Sequence, residues 1–189
     1  MIQDLHFTTA TTEEDLAGIL TLQRQNLSTA ISATEAEEQG FLTVVHDLDI
    51  LKKMNALEQH IIGKDNDQVI AYLLAMTPLS KYDLPVLIPM FEAFDRISYR
   101  GKLVAEYQYI VVGQVCVSKD YRGQGVLDLC YAFYRATYQD KYDFAITEIA
   151  TRNTRSLQAH RRIGFVEIDR YRSPVGEEWS LVIWDWRGM

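Results

Sequence analysis

One segment of the chain has the residue types, in the right order, to hold an anion. It reads Val115-Cys-Val-Ser-Lys-Asp-Tyr-Arg-Gly-Gln-Gly-Val126: a strand-like run, a glycine-rich turn, then the start of an amphipathic helix. Glycines let a backbone approach a ligand closely, and a turn that feeds a helix aims several amides outward at the positive end of the helix dipole. Such an arrangement cradles a pyrophosphate. No Gly-Lys-Ser/Thr follows, so this is not a Walker A loop. The third glycine and the ribose-gripping acid of a dinucleotide fingerprint are missing as well. Gly-x-Gly after a strand also serves simply as a tight turn.

Charge supplies a second feature. Six of the 19 basic residues, Arg152, Arg155, Arg161, Arg162, Arg170 and Arg172, fall in one short stretch, where only Glu167 and Asp169 oppose them. A local basic patch suits a compact ligand with several phosphates, or it is a solvated helix face. Cys116 and Cys130 are too few and too far apart for a zinc site or a disulfide framework, and read as reduced core thiols. His6, His46 and His60 lack metal-ligand spacing, so no metal is expected.

The elements that must position these residues follow from periodicity. Leu5 to Ala10 reads as a strand, and Thr11-Thr12-Glu13-Glu14 opens a helix to about Asn26. A second helix covers about His46 to Ala56. His60–Gly63 and Gln68–Met76 form a hairpin about Lys64-Asp65-Asn66-Asp67. Pro85 to Ile97 has helical spacing interrupted by Pro89. Tyr107 to Ser118 is a central strand with a bulge or bend at Gly113. The helix after the glycine turn places Val126, Leu129, Cys130, Phe133 and Ala136 on one face. Asp143–Ala150 is a strand, Thr154–Ile163 a helix, Gly164–Tyr171 a strand and Glu178–Trp186 the last strand. This order is a mixed α/β domain.

The chain of 189 residues, 48% hydrophobic and 24% charged, is expected to form one domain over residues 1–189 without metal or disulfide support. Its 10 glycines and 4 prolines exclude collagen-like and low-complexity chains. No uncharged run approaches the roughly 18 residues of a membrane span. Met1-Ile-Gln-Asp-Leu-His has neither a basic nor an apolar leader region, which points to a cytoplasmic protein. A net charge of -7 argues against nucleic-acid binding. It suits a cationic substrate such as an amine, or serves solubility alone.

The glycine turn resembles the acyl-CoA-binding motif of the GCN5-related N-acetyltransferases, Gln/Arg-x-x-Gly-x-Gly/Ala, here Arg122-x-x-Gly125-x-Leu127. Leu127 stands where the family has a small residue. The resemblance continues in Asn153-Thr-Arg-Ser-Leu-Gln-Ala-His-Arg-Arg-Ile-Gly-Phe165, similar to the family's Asn-x-x-Ala/Ser-x-x-x-Tyr/His-x-x-x-Gly-Phe helix. It implies an α/β acyl-CoA N-acyltransferase fold: a mixed sheet of about seven strands flanked by helices, splayed between the fourth and fifth strands to admit acetyl-CoA. Val115, Cys116 and Val117 would then pair with the pantetheine amides as an added strand does. The amides of Arg122, Gly123, Gln124, Gly125, Val126 and Leu127 would hold the pyrophosphate. Asn153 would bond the pantetheine arm beside Ser156, and Arg122, Arg155 or Arg161 would reach the phosphates.

His160 occupies the place of a family Tyr thought to protonate the departing thiolate, a role open to imidazole; the alternative is packing or a cofactor contact. The acceptor amine must lose a proton, and Glu148 is the candidate base or water-holder. It shares a strand face with Ile146 and Ala150, and otherwise is a surface charge. Glu106 and Tyr109, on the neighbouring strand, are further candidates. The Val117 amide would face the oxyanion. A Cys116–His160 nucleophile lacks an elbow turn and a third member, so Cys116 reads as core.

The stretch from Met76 to Glu106 is rich in Tyr, Phe, Leu and Pro, with Glu92, Asp95 and Glu106 available for an ammonium group. It suits an amine with a hydrophobic body, or a homodimer surface. The expectation is direct transfer of acetyl from acetyl-CoA to a primary amine, of a small molecule or a peptide. The alternative is a catalytically silent acyl-CoA-binding module on the same fold.

Overall fold

The computed structural model describes residues 5–27, 42 and 44–188. Residues 1–4, on which the absence of a leader was partly read, lie outside them. The strands are β1 (Leu5–Thr9), β2 (Ile61–Asp65), β3 (Gln68–Met76), β4 (Ser98–Tyr99), β5 (Lys102–Leu103), β6 (Tyr109–Val117), β7 (Phe144–Ala150), β8 (Val166–Arg172) and β9 (Glu178–Asp185). The helices are α1 (Glu13–Asn26), α2 (Leu48–Leu57), α3 (Ile88–Phe94), α4 (Val126–Tyr138) and α5 (Thr154–Ile163). Seven strands form a mixed sheet in the order β1-β2-β3-β6-β7-β9-β8, the architecture expected. β1, β2 and β3 pair antiparallel, as do β7, β9 and β8, whereas β6 and β7 run parallel. The parallel pairing includes Tyr109–Val111 against Phe144–Ile146. None of the described helices is long and apolar enough to cross a membrane.

The chain divides into two units, Met1–Met76 with Val112–Thr137, and Thr77–Val111 with Tyr138–Met189. In the first, α1 starts at a capping box. The Thr12 hydroxyl accepts from the Asp15 amide, and the Asp15 carboxylate accepts from the amides of Thr11 and Thr12. Three backbone donors at the helix start, which have no partner within the helix, are thereby satisfied. α1 buries Leu16, Ile19, Leu20 and Leu22, and β3 is buried along all but its first residue. The β2–β3 hairpin turns at Asn66-Asp67, with Asn66 in the left-handed region at φ 52°.

Gly113, expected as a bulge or bend, has another purpose. A Cβ there would lie 2.6 Å from Met76 Sδ, so the glycine lets the Met76 side chain cross the backbone of β6. A buried polar network sits beneath this strand. Gln23 Nε2 donates to Gln114 Oε1 at 2.6 Å, the Tyr72 hydroxyl donates to the same oxygen at 2.7 Å, and Gln114 Nε2 donates to the Val44 carbonyl at 2.9 Å. The buried face of α4 is Val126, Cys130, Tyr131, Tyr134 and Tyr138. Leu129 and Ala136, expected on that face, are exposed. The large tyrosine rings turn the helix, because they bury more apolar area than Leu129 would.

In the second unit Pro89 lies in the first turn of α3, where a missing N–H is no loss, so the helix forms despite it. Phe94, Tyr99, Tyr107, Tyr109 and Phe144 form a continuous aromatic cluster with centroid separations of 5.2 to 6.2 Å. β4 and β5 form a short hairpin through Arg100 (φ 48°) and Gly101 (φ 83°). Arg100 and Tyr99 both bond Asp185 of β9, at 3.0 and 2.9 Å.

Candidate active site

The first unit contributes the glycine turn. Gly123 and Gly125 both lie in the left-handed region, at φ 73° and 80°, where a side chain is strained. A Cβ on either would meet nothing within 4 Å, so the space before the amides is open. α4 begins at Val126, and the Leu129 amide already bonds the Gly125 carbonyl. The amides of its first turn have no acceptor within the helix and sit at its positive end. This fits a pyrophosphate. Leu127 is half-buried at the start of the helix.

Arg122 is held by the protein itself. Its Nε donates to the Val117 carbonyl at 3.0 Å, and its Nη2 donates to the Asn26 side-chain carbonyl at the end of α1. Asn26 in turn donates to the Leu22 carbonyl at 2.8 Å. The Arg122 side chain, expected to reach phosphates, therefore clamps the turn to β6 and α1. Cys116 is buried, and burial raises its thiol to about 12, which removes it as a nucleophile. Val115 and Val117 alternate with it on the half-exposed face of β6.

The second unit brings Asn153, Ser156 and His160 together along α5. The Asn153 side chain caps the helix by accepting from the Ser156 amide at 3.2 Å. His160 Nδ1 lies 2.8 Å from the Ser156 carbonyl. A carbonyl only accepts, so the ring proton is on Nδ1. The ring is 2% exposed and packs edge-on against Phe165 at 5.0 Å. Burial depresses its pKa to about 4, so it is neutral at physiological pH.

Glu148, on β7, accepts a hydrogen bond of 2.5 Å from the Tyr171 hydroxyl on β8. Burial raises the Glu148 carboxyl to about 7, and the Tyr171 bond works against that rise. A carboxyl titrating near neutral pH is poised to take and release protons. The other base candidates have other occupations. Glu106 accepts from the Leu103 amide at 2.8 Å in a surface turn, and burial beside Asp95 raises Tyr109 to about 12.

Three of the six arginines of the basic patch face carboxylates. Arg152 bonds Glu177 at 3.0 Å, Arg170 bonds Glu167 at 2.9 Å, and Arg172 lies 3.8 Å from Glu178. Glu177 and Glu178 come from the next strand and the turn before it, beyond the window in which the arginines cluster. Arg155 and Arg161 are exposed on α5. Sequence reasoning missed Tyr171 and Asn26, since each acts through a partner far away in the chain. Among the described residues, no cluster of potential metal ligands occurs.

No family model matches the sequence, and no curated protein matches it either. Solved structures match in fold over nearly the whole chain. An acetyltransferase of the GNAT family from Streptococcus agalactiae is 10% identical, with 98% of this chain and 97% of that one covered and a TM-score of 0.66. The ribosomal-protein-S18-alanine N-acetyltransferase from Escherichia coli is 10% identical, covering 98% and 96%, at 0.64. The NatC complex bound to Gag peptide and CoA contains a chain 13% identical, covering 97% and 99%, also at 0.64. With its seven-stranded mixed sheet and the glycine turn at the start of α4, the chain has the fold of the GCN5-related N-acetyltransferases.

Proposed function

We propose that this protein is an N-acetyltransferase that moves acetyl from acetyl-CoA directly to a primary amine. The observation that carries the reading is the pair of left-handed glycines, with open space before their backbone, at the positive end of α4. Acetyl-CoA supplies the acetyl group as a thioester. The amides of Gly123, Gln124, Gly125, Val126 and Leu127 hold its pyrophosphate, and the backbone of β6 at Val115–Val117 pairs with the pantetheine amides. Asn153 and Ser156 border the pantetheine arm. The Arg122 amide, expected at the pyrophosphate, donates to the Lys119 carbonyl at 3.3 Å, and its side chain holds the turn in shape.

An ammonium has no lone pair, so the acceptor must be deprotonated before it attacks. Glu148 takes that proton, directly or through a water, and its near-neutral titration matches the task. The Val117 amide stabilises the oxyanion. His160 packs α5 against Phe165, the second of the roles open to it; a neutral ring with its proton bonded to a carbonyl is a poor acid. The acceptor is an amine of a peptide or a small molecule. The NatC complex holds a peptide and the Escherichia coli enzyme is named for a protein alanine, which favours a peptide.

The test is a thermal-shift titration with acetyl-CoA, CoA, NADPH and ATP side by side. A ligand at about 100 times its Kd adds roughly 2.7 kcal/mol, several degrees for a chain of this size. A shift confined to the CoA compounds supports the reading, and no shift with either removes it. Acceptor-dependent thiol release with an amine panel then separates transfer from silent binding.

A further inference from the structure

Tyr171 and Glu148 stand on strands that are not neighbours, since β9 lies between β7 and β8. Their meeting depends on an irregularity. In β8, Val166 pairs with Ile183 and Glu167 with Val182, but the next pair is Asp169 with Leu181, so Ile168 is an extra residue. Side chains alternate along a strand, and directly paired residues share a face. Glu148 pairs with Leu181, so its face of the sheet carries Leu181, Ile183 and Trp179 from β9.

Were the pairing of Val166 and Glu167 continued without the bulge, Ile168 would pair with Leu181 and Tyr171 with Glu178. Tyr171 would then project from the opposite face. One inserted residue reverses the side for everything that follows it. The bulge instead pairs Tyr171 with Trp179, on the face of Glu148, and its hydroxyl crosses β9 to the carboxylate at 2.5 Å.

We propose that Tyr171 is a positioning residue for Glu148, aimed by the bulge at Ile168, and that its hydroxyl holds the carboxylate ready to act as the base. The inference rests on the base reading above. The other groups on this face of the second unit are few. β9 offers Trp179 and Leu181, which do not titrate near Glu148, with Asp185 at its far end engaged by Tyr99 and Arg100. β8 adds the exposed Asp169, and β7 itself adds Ile146 and Ala150. β6 places Tyr109 beside Phe144, near Asp95. Tyr171 alone among them has a hydrogen bond to the Glu148 carboxylate. A phenol donating to the charged form favours that form, so Tyr171 opposes the burial that would keep Glu148 protonated.

The experiment is a carbon-13 NMR titration of the glutamate carboxyls in wild type, Glu148→Gln and Tyr171→Phe, with the glutamine variant assigning the Glu148 signal. Rate profiles against pH with acetyl-CoA and an amine panel accompany it. The wild-type signal titrates near neutral pH. In Tyr171→Phe the midpoint rises by about one pH unit, and the acidic limb of kcat moves with it while the acetyl-CoA KM stays put. An unmoved midpoint in Tyr171→Phe overturns this inference and leaves the base reading standing. Full turnover by Glu148→Gln removes the base reading, and this inference with it.

Discussion

The Arg122 guanidinium donates to the side-chain carbonyl of Asn26, the last residue of α1, while its Nε bonds the Val117 carbonyl at the end of β6. The glycine turn is therefore braced from two sides by one side chain, and its amides keep their direction without a ligand. Preorganisation of this kind lowers the ordering cost of binding. Asn26→Ala is expected to weaken acetyl-CoA binding by roughly 5–10-fold, in line with one charge-assisted hydrogen bond. Arg122→Lys, which also loses the Val117 bond, should weaken binding at least as much, and the loss in the double variant should fall short of the sum because the Asn26 contact is shared. Calorimetric titration of the two single variants and the double variant decides it; fully additive losses would mean that Arg122 acts on the ligand itself.

Gly125 is the position where a side chain does most harm to the cradle. Valine there combines strain at φ 80° with occupation of the open space before the amides. β-branched residues rarely adopt positive φ, so the variant should lose about 1–2 kcal/mol of stability. Its thermal shift with CoA should vanish. A variant that folds and still shows the wild-type CoA shift would remove the turn from the binding site.

Glu148→Gln is expected to lower kcat by at least a hundredfold, within the range typical of a lost general base. It should also make the protein more stable at high pH. Burial raises the folded-state pKa from the usual 4.5 to about 7, so the folded protein holds a proton that the unfolded chain releases. Wild-type stability at this site is intact below pH 4.5 and falls as pH rises through 7. Melting temperatures of wild type and variant should diverge at pH 8.5 and converge at pH 4.5. Divergence at low pH instead would show that Glu148 is ionised more readily than its burial implies.

Buried histidines predict the opposite slope. Burial lowers His160 and His46 to about 4 and His60 to about 3, whereas the unfolded chain titrates them near 6.5. Their contribution is fully present above pH 6.5 and is lost as pH falls toward 4 and below. Each contributes up to roughly 3–5 kcal/mol. His60, just before β2, accepts from the Ala75 amide of β3 at 3.1 Å, so protonation of that nitrogen breaks its bond to β3. Urea midpoints should drop steeply between pH 6.5 and 4.5, and His60→Gln should flatten the drop.

His160→Phe separates packing from proton donation. As a packed ring, its replacement should leave kcat and acetyl-CoA affinity within about threefold, with a stability loss of about 1–2 kcal/mol from the missing Ser156 bond. A hundredfold fall in kcat at unchanged affinity would restore it as the acid.

What the sequence determined by itself is local. The glycine turn between a strand and an amphipathic helix and the helix start at Thr11-Thr12-Glu13-Glu14 are set by residues a few positions apart, so spacing shows them directly. The helix of Thr154–Ile163 and the run of strands around it follow from the same short-range periodicity, which made the fold legible. The resemblance to an acyl-CoA motif rested on those local patterns too. The tertiary structure decided everything that depends on strand register and on distant partners. One extra residue at Ile168 puts Tyr171 on the face of Glu148, and no alternation rule reveals a bulge before the pairing is known. Asn26 claims the Arg122 guanidinium across 96 positions of chain, and Glu177 and Glu178 return to neutralise arginines that look unopposed in sequence. The dominance of Tyr131, Tyr134 and Tyr138 on the buried side of α4 likewise emerged from packing, since an amphipathic ring suits core or surface equally until its neighbours are in place.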